Sequence, residues 1–134
     1  MSKPQAHVRV DFADGCSLGP GKIALLEGIE RTGSLSAAGR SLGMSYRRAW
    51  LLLHSVNDSF TEAAVEFSVG GKDGGGARLT DFGRSLIGSY REFEKAVDSL
   101  AARSFAQLRP VRRAEAGEPV RRKPLSRRKA VPRS

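Results

Sequence analysis

The chain is poor in the residues that build most enzymatic centres. In 134 residues it has one cysteine, Cys16, and two histidines, His7 and His54. A single thiol permits no intramolecular disulfide, and no thiolate metal site can be assembled within one chain. No apolar run approaches the roughly 20 residues that span a bilayer. The first ten residues, MSKPQAHVRV, lack the apolar stretch of a secretory signal. The expected setting is therefore the cytoplasm, on the nucleoid, with no membrane partner. No paired carboxylates, Cys–His pair or nucleophile elbow stands out, so no enzymatic activity, cofactor or metal is expected. Two look-alike motifs fail on context. Gly71-Lys72-Asp73-Gly74-Gly75-Gly76 lacks the Gly-Lys-Ser/Thr ending of a phosphate loop and opens no helix after a first strand. Asp81-Phe82-Gly83 spells the kinase magnesium motif, but the chain is far too short for that fold and has no catalytic-loop His-Arg-Asp.

Acidic residues are scarce relative to basic ones, and unevenly so. The formal net charge is +9. Residues 109–134 hold ten Lys/Arg and two Glu, a net of +8, whereas residues 1–108 hold thirteen and twelve, a net of +1. The high pI thus describes a tail, and any affinity of the preceding domain for a polyanion must come from local placement of its cations. Pro110, Pro119, Pro124 and Pro132 break helices in that tail, and large apolar residues are sparse there. We read residues 1–108 as a domain and residues 109–134 as a disordered basic Pro/Arg-rich tail.

Within the domain, periodicity predicts a mainly α fold with a small β-hairpin. Val8, Val10 and Phe12 alternate with polar residues as a short half-buried strand. Asp14 to Gly21 reads as a loop. Helix 1 is expected from Pro20 to Arg31, with Ile23, Leu25, Leu26 and Ile29 inward and Gly33 as its stop. Ser34 is positioned to cap helix 2, Leu35 to Ser41, with Leu35, Ala38 and Leu42 as a core stripe. Gly43 supplies a tight turn. Ser45 caps helix 3, Tyr46 to Phe60, whose inner face is Ala49, Leu52, Leu53, Val56 and Phe60. Trp50, at the edge of that face, is expected in the core. Val65, Phe67 and Val69 alternate as one strand of a hairpin, 70–76 is its turn, and Ala77 to Leu79 its return. Thr80 caps a last helix from Asp81 to about Leu108. Phe82, Leu86, Tyr90, Phe93, Val97, Leu100 and Ser104 form a seam along it. At 1.5 Å per residue that helix is about 40 Å long, too long for so small a domain to cover. It suits packing across a dimer or against the N-terminal strand.

Two short helices around a glycine turn, followed by a basic glycine-rich hairpin, are the layout of a winged helix-turn-helix. A recognition helix presents its N-terminal turn to the major groove, and here that turn is Ser45-Tyr46-Arg47-Arg48. Arginine offers a bidentate fork to guanine or pairs with phosphate, and a helix N-terminus itself favours phosphate. His54, two turns on, is within reach of a phosphate or base edge. Lys72 and Arg78 would meet the sugar–phosphate wall from the wing. A solvated helix face would carry the same arginines, but the preceding helix and the following hairpin favour groove contact. Leu51 falls on the outward face, where it would meet a thymine methyl or mark a slightly misjudged helix phase.

Leu25 through Arg103 resembles the N-terminal DNA-binding domain of the ModE family of molybdate-responsive bacterial transcription regulators. The resemblance is carried by Thr32-Gly33-Ser34-Leu35-Ser36, by Ser45-Tyr46-Arg47 with Ala49-Trp50, and by Gly70-Gly71-Lys72 through Gly74-Gly75-Gly76-Ala77. Leu79-Thr80, Gly83 and Leu86-Ile87 continue it. It implies a homodimer reading a palindromic operator in double-stranded DNA, with Ser45, Tyr46, Arg47 and Arg48 in the groove and Lys72 and Arg78 at the wing. Asp73 departs from the pattern by placing a negative charge in the wing tip. The chain also stops where that family's molybdate-binding domains would begin. The resemblance therefore implies DNA binding without molybdate binding by this chain, and any oxyanion response would come from a separate sensing partner.

Two other functions fit the same residues. A nucleoid-type protein would bind DNA without sequence preference through the tail. A protein-interaction module would use the winged helix to pair with another protein. Helix 1, the N-terminal strand and helix 4 are all open as the dimer surface.

Overall fold

The structure, a computed structural model, describes residues 3–69 and 76–111. Residues 1–104 form one compact unit and residues 105–134 a second, of which 105–111 are described. The first unit contains β1 (Val10–Ala13), β2 (Cys16–Leu18), α1 (Pro20–Thr32), α2 (Leu35–Ser41), α3 (Tyr46–Ser59), β3 (Val65–Ser68), β4 (Gly76–Leu79) and α4 (Asp81–Ser104). This is a winged helix-turn-helix, with a small N-terminal hairpin before it and a long helix after it.

Local chemistry sets most of these boundaries. Pro20 opens α1, where its missing N–H costs no helical bond. Gly33 closes it at φ 73°, a left-handed conformation that suits glycine, and its N–H donates to Ile29 O. The Ser34 hydroxyl accepts from Ala37 N–H and caps α2. Gly43, at φ 71°, turns the chain into α3. The Thr80 hydroxyl accepts from Gly83 N–H and donates to Ala63 O, starting α4 and tying it to the segment before β3.

The core lies where α1 meets α2, α3 and β4. Ile23, Leu25, Leu26 and Ile29 of α1 are fully enclosed with Leu53 and Val56 of α3 and Val65 of β3. Burying each such side chain contributes about 1.5–3 kcal/mol. Small residues set the helix crossings. A Cβ on Gly39 would lie 2.9 Å from Ala49 Cβ, and one on Gly28 would lie 3.0 Å from Ala38 Cβ. The wing strands pair antiparallel, Val65 with Leu79 and Phe67 with Ala77. Ala77 N–H also donates to Gly33 O, joining the wing to the α1–α2 junction.

Four expectations need correction. First, the N-terminus forms a hairpin, not a single strand followed by a loop. Strand β1 begins at Val10, and Cys16–Leu18 pairs back onto it across an irregularity near Phe12. The Lys22 ammonium locks this hairpin to α3, donating to Ser17 O, Ser17 Oγ and Ser55 Oγ at 3.0–3.2 Å. Burial, and secondarily the nearby Arg9 charge, push its pKa below the ordinary lysine value. Second, Leu42 is 40% exposed. It follows the last residue of α2 at φ −102° and ψ 6°, so helical spacing from Leu35 no longer directs it inward. Third, Trp50 is 42% exposed and lies outside the core. Fourth, α4 ends at Ser104, short of Leu108. Beyond it the Leu108 N–H donates to Phe105 O, three residues back, so a tight turn takes the place of the helical bond to the fourth residue back.

Along α4, the first half of the predicted seam packs on the core through Phe82, Leu86 and Tyr90. Farther out, Phe93 and Leu100 are exposed. The extended N-terminal segment runs beside this part: Tyr90 Oη–H donates to Val8 O, and Ala6 N–H donates to Asp98 Oδ1.

Candidate nucleic-acid interface

Ser45 enters α3 in extended conformation, and its hydroxyl accepts from Arg48 N–H at 3.1 Å. The cap leaves the N–H groups of Tyr46 and Arg47 without helical partners. No acidic residue lies in the first turn of α3, whereas Asp81 lies in the first turn of α4. The positive end of the α3 dipole is thus not neutralised by its own side chains. Tyr46, Arg47 and Arg48 are all exposed there. Among the described residues, neither arginine side chain takes part in an ion pair or a hydrogen bond. Two cations, a phenol and two outward N–H groups therefore share one turn.

Leu51 lies one turn beyond Arg47 and is 49% exposed, so the helix phase expected from the sequence is correct. His54 is half-buried between two rings, tilted against Trp50 and stacked on Phe67. It flanks the arginine face on the side of the wing.

The structure brings Ser45, Tyr46, Arg47 and Arg48 together and sets His54 at their border. It does not bring Arg78 to them. Phe67 and its partner Ala77 lie on the hairpin face turned toward α3 and the core. Glu66 and Arg78, the neighbouring register pair, lie on the opposite face. There Arg78 Nη2 is 3.4 Å from Glu66 Oε1. Lys72, with the rest of the expected wing turn, lies outside the described residues.

Trp50 and Phe67 are surface residues of this face, although the sequence placed Trp50 in the core and Phe67 only in a wing strand. The four-residue spacing of Trp50 and His54 and the Val65/Phe67 alternation were both visible. Nothing in the sequence said that the helix and the strand meet at those rings. Among the described residues, no group of three or more His, Cys, Asp and Glu could hold a metal ion. Nor, among those residues, is any helix long and apolar enough to cross a membrane.

No family model matches the chain. Over 102 residues it is 37% identical to the molybdenum transport protein ModE of Azotobacter vinelandii, covering 73% of this chain and 38% of that protein. It is 43% identical over 86 residues to the molybdenum-pterin-binding protein MopB of Rhodobacter capsulatus, covering 64% and 32%. It is 41% identical over 79 residues to the DNA-binding transcriptional dual regulator ModE of Escherichia coli K12, covering 59% and 28%. The chain spans well under half the length of these curated relatives. Over the matched part of its length, it is homologous to regulators of the ModE family.

Proposed function

We propose that this chain carries a ModE-type N-terminal DNA-binding domain and acts as a sequence-specific transcriptional regulator, reading a palindromic operator as a homodimer in the bacterial cytoplasm. The single observation that carries this reading is the first turn of α3. It is capped by Ser45, exposes Tyr46, Arg47 and Arg48, and has no acidic residue to neutralise it. Arg47 and Arg48 would fork onto guanine edges or phosphates, Tyr46 would pack against the backbone, and Ser45 would hold the turn rigid. From the wing, Lys72 and Arg78 would meet the flanking phosphates, Arg78 after exchanging Glu66 for phosphate.

Selection of the full chain against a random duplex-DNA pool at about 150 mM salt tests the reading. The expected product is a two-fold symmetric motif with half-sites about 34–36 Å apart, or a multiple of that. Recovery of no motif would sink it.

The charge distribution favours a second, additive activity. The net +8 of residues 109–134 suits non-specific affinity for phosphates. Deleting those residues should flatten the salt dependence of binding to scrambled DNA while leaving the selected motif preferred.

A further inference from the structure

Trp50, His54 and Phe67 form a column of three rings across the corner between α3 and β3. The Trp50 and His54 centroids are 3.9 Å apart, and the His54 and Phe67 rings are 6.0 Å apart and nearly parallel at 11°. Trp50 and Phe67 remain 42% and 46% exposed, so neither ring is core. Both are large apolar groups at the surface, and each is paired with the histidine.

The column continues an attachment that begins nearer the core. There the Asn57 carboxamide accepts from Ala64 N–H and Val65 N–H and donates to Val65 O, at 2.8–3.1 Å. From Asn57 to His54 is about one helical turn back toward the start of α3. From Val65 to Phe67 is one step outward on the same sheet face. Helix and strand therefore pass each other in matched steps, Asn57 with Val65 and then His54 with Phe67. Outward of Asn57, among the described residues, no hydrogen bond or ion pair joins α3 to β3. There the ring contacts make the connection.

We propose that this column is a strut that fixes the wing to the recognition turn, and that His54 is a positioning residue acting through its ring rather than a contact to bases. On the DNA-binding reading above, on which its purpose rests, the strut sets the spacing between groove contacts made by α3 and flank contacts made by the wing. The geometry requires a flat ring at position 54 and does not require a ring nitrogen.

The test compares His54→Ala, His54→Phe and Phe67→Ala in the full chain. Hydrogen exchange is measured first, without DNA. Losing both ring contacts should speed exchange of the β3 and β4 amides by about 5- to 50-fold in His54→Ala, with α1 and α2 unchanged. His54→Phe should restore protection, and Phe67→Ala, which spares the core, should mimic His54→Ala. Were His54→Ala to unfold, Phe67→Ala would carry the comparison. Hydroxyl-radical footprinting on the selected duplex follows. His54→Ala should keep the groove-centred protection and lose the flanking protection. Unchanged wing exchange in both alanine variants, or a His54→Phe chain no better than His54→Ala, would overturn the strut. Intact flank protection in His54→Ala would overturn its role in DNA spacing. A wild-type chain that selects no duplex would overturn the DNA reading, while the exchange result would still decide the strut.

Discussion

Arg91 on α4 and Glu27 on α1 form a two-point ion pair, Nε to Oε2 at 2.9 Å and Nη2 to Oε1 at 2.6 Å. Arg91 Nη1 adds Glu94 at 2.6 Å. The pair joins the last helix of the unit to the first. The two hydrogen-bonded carboxylates hold Arg91 above the ordinary arginine pKa, so its charge persists through the accessible pH range.

Both partners are more than a third exposed, so solvent screens much of this attraction. A double-mutant cycle of Arg91→Ala and Glu27→Ala, read by urea unfolding, should give a coupling of about 1 kcal/mol that shrinks at high salt. Arg91→Lys should lose most of it, since an ammonium cannot make the fork. A coupling near zero at low salt would contradict this assignment.

Gly83 tests steric contact at the start of the same helix. A Cβ there would overlap the Ala64 carbonyl oxygen, which already accepts from Thr80 N–H. The obstacle is backbone, so α4 or the segment before β3 must shift. Gly83→Ala should cost about 1–3 kcal/mol. Gly88 is the control, because its Cβ would meet nothing within 4 Å. Gly88→Ala should stabilise the chain by roughly 0.5–1 kcal/mol through helix propensity. Thermal unfolding of the two variants should therefore move in opposite directions.

Tyr90 gives a pH-dependent prediction. Burial, with repulsion from Glu94 and partly offset by Arg91, raises the pKa of its phenol above 10. Its proton is the one donated to Val8 O. Because the folded value is the raised one, the folded state retains the proton longer than the unfolded state does. The stabilisation is fully present below about pH 10 and is lost as pH rises through the raised value. Tyr90→Phe should cost about 1 kcal/mol at neutral pH. The deficit should narrow above pH 10, as measured by urea unfolding in parallel with wild type.

Helix punctuation was the most legible part of this chain. Ser34, Ser45 and Thr80 each cap the helix expected to follow, and Gly33 and Gly43 take the left-handed turns their positions implied. Such signals are local, so three or four neighbouring residues suffice to read them. Long-range pairing was not legible in the same way. Cys16-Ser17-Leu18 sits between glycines and becomes a strand only because Val10 and Asp11 pair with it. Leu42 followed a helical period that the backbone abandons at that residue.

The candidate site divides along the same line. Tyr46, Arg47 and Arg48 share a turn because they are consecutive in α3. The rings of Trp50, His54 and Phe67 meet across two elements, and no spacing announces that. The face of the wing on which Arg78 lies depended on a hairpin register that the glycine-rich turn left open.

The central claim is that the first turn of α3 reads DNA, and fluorescence anisotropy tests it most directly. The full chain and the variant carrying Arg47→Ala with Arg48→Ala would be titrated with the selected duplex and a scrambled one at about 150 mM salt. Both side chains are exposed and, among the described residues, unpaired, so folding should be intact. At about 1–3 kcal/mol per base contact, the preference for the selected duplex should fall roughly 30-fold or more, with binding to scrambled DNA much less affected. An unchanged preference in a folded double variant would contradict the claim.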